Sequence, residues 1–213
     1  MLPLLGTEER VRADRFHFAR DHDQFIITRG ALRCILAYYL DLTPRDVRFR
    51  YGSYGKPALD TDQNAADLRF NLSHTESLAL LAVAPKRELG IDVERVRAGM
   101  AREGIAERFF APVEVAALRA LPAHRQDDAF FACWTRKEAY VKARGEGLSI
   151  PLDQFVVSLA PDQPAALLQV ALDPGEVEHW SLHDLDAGPG YRAALLVEGQ
   201  NPKLSWREPR FGD

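Results

Sequence analysis

The chain of 213 residues has little cysteine and no long apolar run. Its two cysteines, Cys34 and Cys133, each lie in an apolar helical pattern, so we expect buried thiols in a reducing compartment and no disulfide. No run approaches the length of a membrane span. The opening stretch MLPLLGTEER has a short apolar run and no basic segment, which argues against a signal peptide. We therefore expect a cytoplasmic protein with no membrane partner.

The charge of the chain is small overall and unevenly placed. Residues 10–50 carry nine arginines against five aspartates, a local balance of +4 within a net charge of −4. Local basicity in an acidic protein indicates an anionic ligand bound at one place, and the planar fork of arginine suits phosphate. Nucleic acid is the competing ligand. The acidic overall balance and the lack of a nucleic-acid-binding motif argue against it, so we expect no nucleic-acid partner.

Apolar periodicity predicts a mixed α/β chain. With 46% hydrophobic and 27% charged residues, the composition is that of a globular protein with one large domain or two small lobes. Helices are predicted near residues 7–19, from about 21–23 to 40, and at 105–110, 112–121 and 130–148. Strands are predicted at 47–51, 69–72, 77–84 and 89–93, and in the later stretches FVVSL, ALLQVAL, EHWSLHDL and YRAALLVE.

The stretch FFACWTRKEAYVKARGEGL, residues 130–148, organises the chain. Its spacing predicts one long helix with Glu138 and Lys142 a single turn apart on one face. Gly145 and Gly147 provide a left-handed end. The pair could be an ordinary ion pair on a helix surface. The apolar residues of the same segment favour a helix that is largely buried, where a carboxylate and an ammonium need a partner or a function.

Two predicted strands end in polar residues. Asp92 and Glu94 alternate on one face of a strand, and such carboxylates repel each other unless a cation lies between them. Mg²⁺ prefers carboxylate oxygens together with water and substrate phosphate, and Glu138 could complete the set. The alternative is a polar strand end that faces solvent. Ser73 and His74 follow the other strand and could bind phosphate, although a lone histidine is more often structural.

Two familiar motifs for nucleophiles and nucleotides are not matched. Nothing around Ser73 resembles a nucleophile elbow. Lys56 lies in a loop with Gly52, Gly55 and Pro57, but the spacing is not that of a P-loop. A lysine in such a loop is usually solvated.

Four ordered segments, GKPAL, FNLSHT, GIDVE and WTRKEAYVKARGEGL, together resemble the 4′-phosphopantetheinyl transferases. The length is similar to the long, single-chain, surfactin-synthetase-activating type and differs from the short, trimeric holo-acyl-carrier-protein synthase type. The resemblance extends from about Glu8 to Leu159. It implies two similar α/β lobes related by a pseudo-twofold axis, each a small sheet packed with a long helix. We place the lobes at residues 1–89 and 90–213 and expect a monomer.

The resemblance also implies a set of site residues. Asp92, Glu94 and Glu138 would bind Mg²⁺. Coenzyme A would be held by basic and polar side chains, namely Arg12, Arg20, Arg50, Lys56, Ser73, His74 and Lys142. Within this set the resemblance places Lys56 near the nucleotide, Ser73 and His74 at its phosphates, Lys142 at the pyrophosphate and Arg20 at the 3′-phosphate. Glu9 stands where some members of the family carry a lysine.

The reaction implied by the resemblance is Mg²⁺-dependent transfer of the 4′-phosphopantetheine arm of coenzyme A. The acceptor would be a serine of an apo acyl or peptidyl carrier protein, and adenosine 3′,5′-bisphosphate would be released. Glu138 would accept the serine proton, directly or through water, while Lys142 offsets charge on the pyrophosphate. The sequence does not identify the carrier.

Two other functions stay open at this point. A different metal-dependent phosphoryl or nucleotidyl transferase would share the carboxylates, but it would not need the SHT, GKP and WxxKE segments together. A nucleotide-binding protein without catalysis would tolerate the loss of one metal ligand, whereas all three carboxylates are present.

Overall fold

Helices and short strands follow one another along a computed structural model that describes residues 1–160 and 162–209. The helices are α1 (Thr7–Ala13), α2 (Ala19–Leu40), α3 (Ile105–Phe109), α4 (Pro112–Ala120), α5 (Ala123–Arg144) and α6 (Glu176–His179). The strands are β1 (Phe49–Tyr51), β2 (Pro57–Leu59), β3 (Leu68–Thr75), β4 (Leu78–Pro85), β5 (Leu89–Arg95), β6 (Phe155–Val157), β7 (Leu167–Val170), β8 (Trp180–Leu185) and β9 (Tyr191–Glu198). The predicted α/β class is confirmed.

The chain divides into two compact units. The first contains residues 1–50, 59–67 and the segment that begins at Leu204, and the second contains Tyr51–Ala58 and Leu68–Lys203. The predicted boundary between residues 89 and 90 falls inside β5. The division into lobes at that point and their pseudo-twofold relation stay predictions.

In the first unit, part of the arginine-rich segment forms a buried ion cluster. Arg33 Nε lies 2.6 Å from Glu9 Oε2, and Arg29 Nε lies 3.5 Å from Glu9 Oε1. Arg33 also donates to the backbone carbonyls of Pro44 and Val47, both at 2.9 Å. Arg29 and Arg33 therefore stabilise this unit, and the local excess of positive charge is not all available to an anionic ligand.

In the second unit, the three-stranded sheet β5–β9–β8 is antiparallel and covered on both faces. Successive side chains of a strand point to opposite faces, so alternate residues of β9 belong to different clusters. Ala194 and Leu196 pack with the apolar face of α5. Leu195 and Val197 instead pack with Ile91 of β5 and with Leu80 of β4. The sheet is thus the layer on which α5 rests.

A close contact between α5 and β5 is possible because Gly90 has no side chain. A Cβ atom at this position would lie 2.1 Å from the Ala139 carbonyl oxygen and 2.3 Å from the Ala143 nitrogen. By strand alternation, Asp92 and Glu94 point to the same side as Gly90, toward α5. The absent side chain therefore lets the helix come close to the two carboxylates.

The structure changes the bounds of several predicted elements. The long helix begins at Ala123, seven residues before the predicted start, and ends at Arg144, four residues before the end of the predicted range. Gly145, one of the two glycines predicted to end it, follows with a φ of 69°. Strand β3 continues through Thr75 because Ser73, His74 and Thr75 pair with Leu80, Ala79 and Leu78. The SHT motif therefore lies within a strand and not after it. In the described part of the chain, no helix has the length and apolarity required to cross a membrane.

Candidate active site

Side chains from two other elements meet at the buried carboxylate of Asp92 on β5. Lys142 Nζ on α5 donates to Asp92 Oδ1 at 2.6 Å and to Ser73 Oγ at 3.0 Å. The hydroxyl of Ser73, on β3, itself donates to Asp92 Oδ1 at 2.9 Å. The three predicted site residues, which are far apart in the sequence, thus form one hydrogen-bonded cluster.

Two side chains of β3 bind the neighbouring edge of β5. Asn71 Oδ1 accepts the Ile91 N–H at 2.9 Å, and Ser73 Oγ accepts the Val93 N–H at 3.3 Å. These two backbone groups flank Asp92 on either side. Asn71 is not among the predicted site residues. Its signal is a polar residue inside the otherwise apolar run FNL, since a buried amide must find a hydrogen-bond partner.

The carboxylates of Glu94 and Glu138 are electrostatically coupled to Asp92. Burial, and then the charge of Asp92, raises the pKa of Glu138, while Lys142 opposes the shift. The same two causes raise the pKa of Glu94, opposed by Arg97 and Lys142 and by a hydrogen bond from Thr75. Three carboxylates therefore create more negative charge here than Lys142 alone offsets.

The donor chemistry of this cluster fits a hard divalent cation. Asp92 Oδ2 is buried and has no hydrogen-bond partner, so one oxygen is left without compensation. Carboxylate oxygen is the ligand type that Mg²⁺ prefers. Within residues 1–160 and 162–209, however, no three His, Cys, Asp or Glu side chains are gathered into a metal cage. The carboxylates are thus suited to a cation by their type and charge, and Lys142 is the cation that Asp92 contacts.

His74 lies beside this cluster on β3. It is partly exposed to solvent. Partial burial, and then the positive charge of Lys142, lowers the pKa of His74. Both effects favour the neutral imidazole, which can accept or donate a hydrogen bond according to its tautomer.

Lys56 connects the loop between β1 and β2 to the end of α5. Its ammonium donates to Glu88 Oε2 at 3.1 Å, to the Leu89 carbonyl at 3.3 Å and to the Ala143 carbonyl at 2.9 Å. Burial lowers the pKa of Lys56, and Glu88 opposes this shift. An ammonium has three donors, and all three are engaged. Lys56 is therefore not a solvated loop lysine, because its hydrogen bonds hold the loop against β5 and α5. Its role in binding a nucleotide stays a prediction.

The three predicted arginines lie in the first unit. Arg12, Arg20 and Arg50 are all exposed. The Arg12 guanidinium lies 5.5 Å from the centre of the Phe25 ring, and Arg50 Nε donates to the Leu59 carbonyl at 3.1 Å. The roles of these arginines toward coenzyme A stay predictions.

A buried ion pair anchors the turn of α5 that carries Glu138. Lys137 Nζ lies 2.8 Å from Glu114 Oε2, and both side chains are almost fully buried. Lys137 also donates to the carbonyls of Leu152 and Phe155 at 2.7 and 2.6 Å. Sequence reasoning missed this pair. Glu138, the next residue after Lys137, lies on a partly exposed face of the helix, because consecutive helical residues point in different directions.

Comparisons with known proteins agree with the motifs. The model of the 4′-phosphopantetheinyl transferase superfamily matches residues 88–196, and a model of the N-terminal part of 4′-phosphopantetheinyl transferases matches residues 1–86. The chain is 40% identical over 207 residues to the 4′-phosphopantetheinyl transferase HetI of Nostoc sp., covering 97% of this chain and 82% of that protein. It is 30% identical over 197 residues to the 4′-phosphopantetheinyl transferase Sfp of Bacillus subtilis, covering 92% and 83%.

Among solved structures, the holo-[acyl-carrier-protein] synthase of Thermotoga maritima matches with a TM-score of 0.43 and 22% identity. The match covers 54% of this chain and 64% of that chain. The first family model spans about half of the chain, and both curated relatives align along most of their length. This chain belongs to the 4′-phosphopantetheinyl transferase superfamily and is a 4′-phosphopantetheinyl transferase of the Sfp type.

Proposed function

We propose that this enzyme transfers the 4′-phosphopantetheine arm of coenzyme A to a serine of an apo acyl or peptidyl carrier protein. The reaction depends on Mg²⁺ and releases adenosine 3′,5′-bisphosphate. The observation that carries the proposal is the cluster of Lys142, Asp92 and Ser73 in a chain of this family. It joins a cationic group suited to phosphate and an acidic group suited to a metal within one site.

The transfer is a displacement at the β-phosphorus of coenzyme A. The serine oxygen of the carrier forms a bond to this phosphorus, and the bond from the phosphorus to the oxygen bridging to the α-phosphate breaks. The electron pair of that bond leaves with adenosine 3′,5′-bisphosphate. Glu138 accepts the serine proton, directly or through water. Lys142 offsets the negative charge that grows on the leaving phosphate.

Asp92, Glu94 and Glu138 are the side chains that would hold Mg²⁺. When bound, the ion supplies Lewis-acid stabilisation of charge on the pyrophosphate. The other predicted site residues bind and orient coenzyme A. His74 and Arg20 bind the 3′-phosphate, Ser73 binds a phosphate, and Lys56, Arg12 and Arg50 position the nucleotide.

Intact-mass measurement of apo carrier proteins after incubation with this enzyme, coenzyme A and Mg²⁺ tests the function. A panel of acyl and peptidyl carriers should include at least one that gains one phosphopantetheine. Its serine-to-alanine variant should gain nothing. Asp92→Ala and Glu94→Ala should be folded and nearly inactive. Full activity of either variant at limiting Mg²⁺ would overturn the metal assignment, and no modification of any carrier would overturn the function.

The Glu138→Gln variant separates its two proposed roles. Gln keeps the size and one oxygen but loses the charge and the basicity. We expect kcat to collapse and added Mg²⁺ to restore little, because the proton acceptor is missing. Near-normal turnover at high Mg²⁺ would instead make Glu138 a metal ligand alone and leave the base to another group.

A further inference from the structure

We propose that Lys142 competes with the metal ion for Asp92, and that coenzyme A relieves this competition by drawing Lys142 to its pyrophosphate. The metal and coenzyme A then bind cooperatively. This inference rests on the proposed function and adds to it an energetic coupling between the two ligands.

The geometry of Asp92 is the first step of the argument. Oδ1 accepts from both Lys142 Nζ, at 2.6 Å, and Ser73 Oγ, at 2.9 Å. Oδ2 is buried and accepts no hydrogen bond. The carboxylate is therefore bound to an ammonium through one oxygen, and a divalent cation that approached the other oxygen would face this ammonium across the same group.

The charge of the site is the second step. Asp92 is almost fully buried, with 6% of its side chain exposed, so it is poorly screened by solvent. An ammonium and a divalent cation at one buried carboxylate repel each other, and burial strengthens the repulsion. The contact with Lys142 thus lowers the affinity of the ligand-free site for a metal.

The freedom of Lys142 is the third step. Its side chain is 28% exposed, against 6% for Asp92, and its long stem allows the ammonium to move while Asp92 stays fixed on β5. The pyrophosphate of coenzyme A offers Lys142 a negatively charged acceptor. Once Lys142 binds this acceptor, Asp92 becomes available to the metal. By linkage, a metal at Asp92 must in turn favour coenzyme A by the same factor.

Titration with Mn²⁺ as the metal probe tests the coupling without any turnover. The metal affinity of the intact enzyme is measured by electron paramagnetic resonance, with and without coenzyme A and without a carrier protein. In the wild type, coenzyme A should tighten Mn²⁺ binding about tenfold, a common size for coupling between two sites. Lys142→Met should bind Mn²⁺ more tightly than the wild type when coenzyme A is absent. Adding coenzyme A to this variant should change the Mn²⁺ affinity much less.

Arg97→Met is the matched control. This substitution also removes one positive charge that acts on Glu94. The Arg97 side chain is exposed, and no hydrogen bond or ion pair between it and Asp92 is found in the described part of the chain. If Lys142→Met and Arg97→Met tighten Mn²⁺ binding equally, only the general electrostatic field has changed, and direct competition is overturned. Unchanged or weaker Mn²⁺ binding in Lys142→Met also overturns it. Lys142→Gln carries the same test if the methionine variant does not fold.

The results distinguish a failure of the proposed competition from a failure of the proposed transferase function. A wild type that modifies a carrier, together with a Lys142→Met variant whose Mn²⁺ affinity is unchanged, overturns the competition alone. A wild type that neither binds coenzyme A nor modifies any carrier overturns the proposed function, and the coupling falls with it.

Discussion

Lys137 and Glu138 are adjacent on α5 and meet opposite environments. Lys137 is fully buried and points into the core, where Glu114 Oε2, two backbone carbonyls and the ring of Phe155 surround its ammonium. Glu138 lies on the partly exposed face with Lys142. A buried ammonium is retained only with such full compensation, so the pair with Glu114 fixes the rotation of the helix about its axis. That rotation also decides where Glu138 points.

Breaking the buried pair should be costly for stability. Lys137→Met leaves the Glu114 carboxylate with two backbone donors, the N–H groups of Ala111 and Val157. Glu114→Leu removes the acceptor of both donors and leaves the Lys137 ammonium unpaired. We expect each variant to lose about 3–5 kcal/mol of unfolding free energy, with Glu114→Leu the worse. Urea denaturation measures the loss.

The exposed ion pair between Arg119 and Glu107 provides the control. Glu107→Gln should leave the unfolding free energy nearly unchanged, because solvent screens an exposed pair. If Lys137→Met were as mild as Glu107→Gln, the buried pair would not anchor α5.

At the scale of elements, the approach of α5 to β5 depends on Gly90. An alanine there would place a methyl group 2.1 Å from the Ala139 carbonyl oxygen, which only a backbone shift can relieve. We expect Gly90→Ala to lose about 3 kcal/mol or more, the upper range for an overpacked core, and to lose transfer activity as Lys142 moves away from Asp92. Denaturation and the carrier mass assay measure the two effects.

Gly52→Ala is the matched glycine substitution. A Cβ at Gly52 would meet only the Lys56 carbonyl oxygen, at an ordinary contact distance of 3.8 Å. Its unfolding free energy should therefore change little. If Gly90→Ala had the stability and activity of Gly52→Ala, α5 could move away from β5 without loss of either. The close packing at Gly90 would then not be needed to position Lys142 at Asp92.

Two side-chain hydrogen bonds join β3 to β5, and one of them can be tested at a single amide. Asn71→Leu keeps the approximate size but removes the acceptor of the Ile91 N–H, which should cost about 1–3 kcal/mol. Hydrogen exchange at the Ile91 amide should become faster. The Val93 amide, which Ser73 holds, is the internal reference. Equal exchange at both amides would contradict a specific role for Asn71.

Some features of the site could be predicted from the sequence, and others could not. Alternation along GIDVE correctly placed Asp92 and Glu94 on one face, and helical spacing correctly placed Glu138 and Lys142 on another. The contact between these faces could not be predicted from either pattern, because it depends on the missing side chain of Gly90. The sequence pattern predicts the SHT motif at the end of a strand, after its apolar run. Pairing with β4 instead extends β3 to Thr75.

At the scale of the whole molecule, the uneven charge distribution has two effects: positive charge stabilises one unit, and negative charge accumulates around Asp92 in the other. Some of the arginines between residues 10 and 50 stabilise their own unit, as the buried contacts of Arg29 and Arg33 with Glu9 show. Charge counting along the sequence cannot separate such internal partners from groups left for a ligand. Around Asp92 the balance is reversed, since three carboxylates act on one another with a single ammonium, that of Lys142, among them. Folding therefore leaves an excess of negative charge that ligands can relieve.

This excess predicts a cooperative effect of ligands on thermal stability. A ligand that binds only the native state raises the unfolding free energy, and two ligands with tenfold coupling add a further 1.4 kcal/mol or so when both are saturating. For a chain of this size that surplus corresponds to roughly 3–5 °C in Tm. Differential scanning calorimetry with Mg²⁺, with coenzyme A and with both should therefore show a combined shift larger than the sum of the separate shifts. In Lys142→Met the surplus should vanish while the shift with Mg²⁺ alone increases, because the ammonium no longer occupies Asp92. Strictly additive shifts in the wild type would contradict the coupling even if each ligand stabilises the protein on its own.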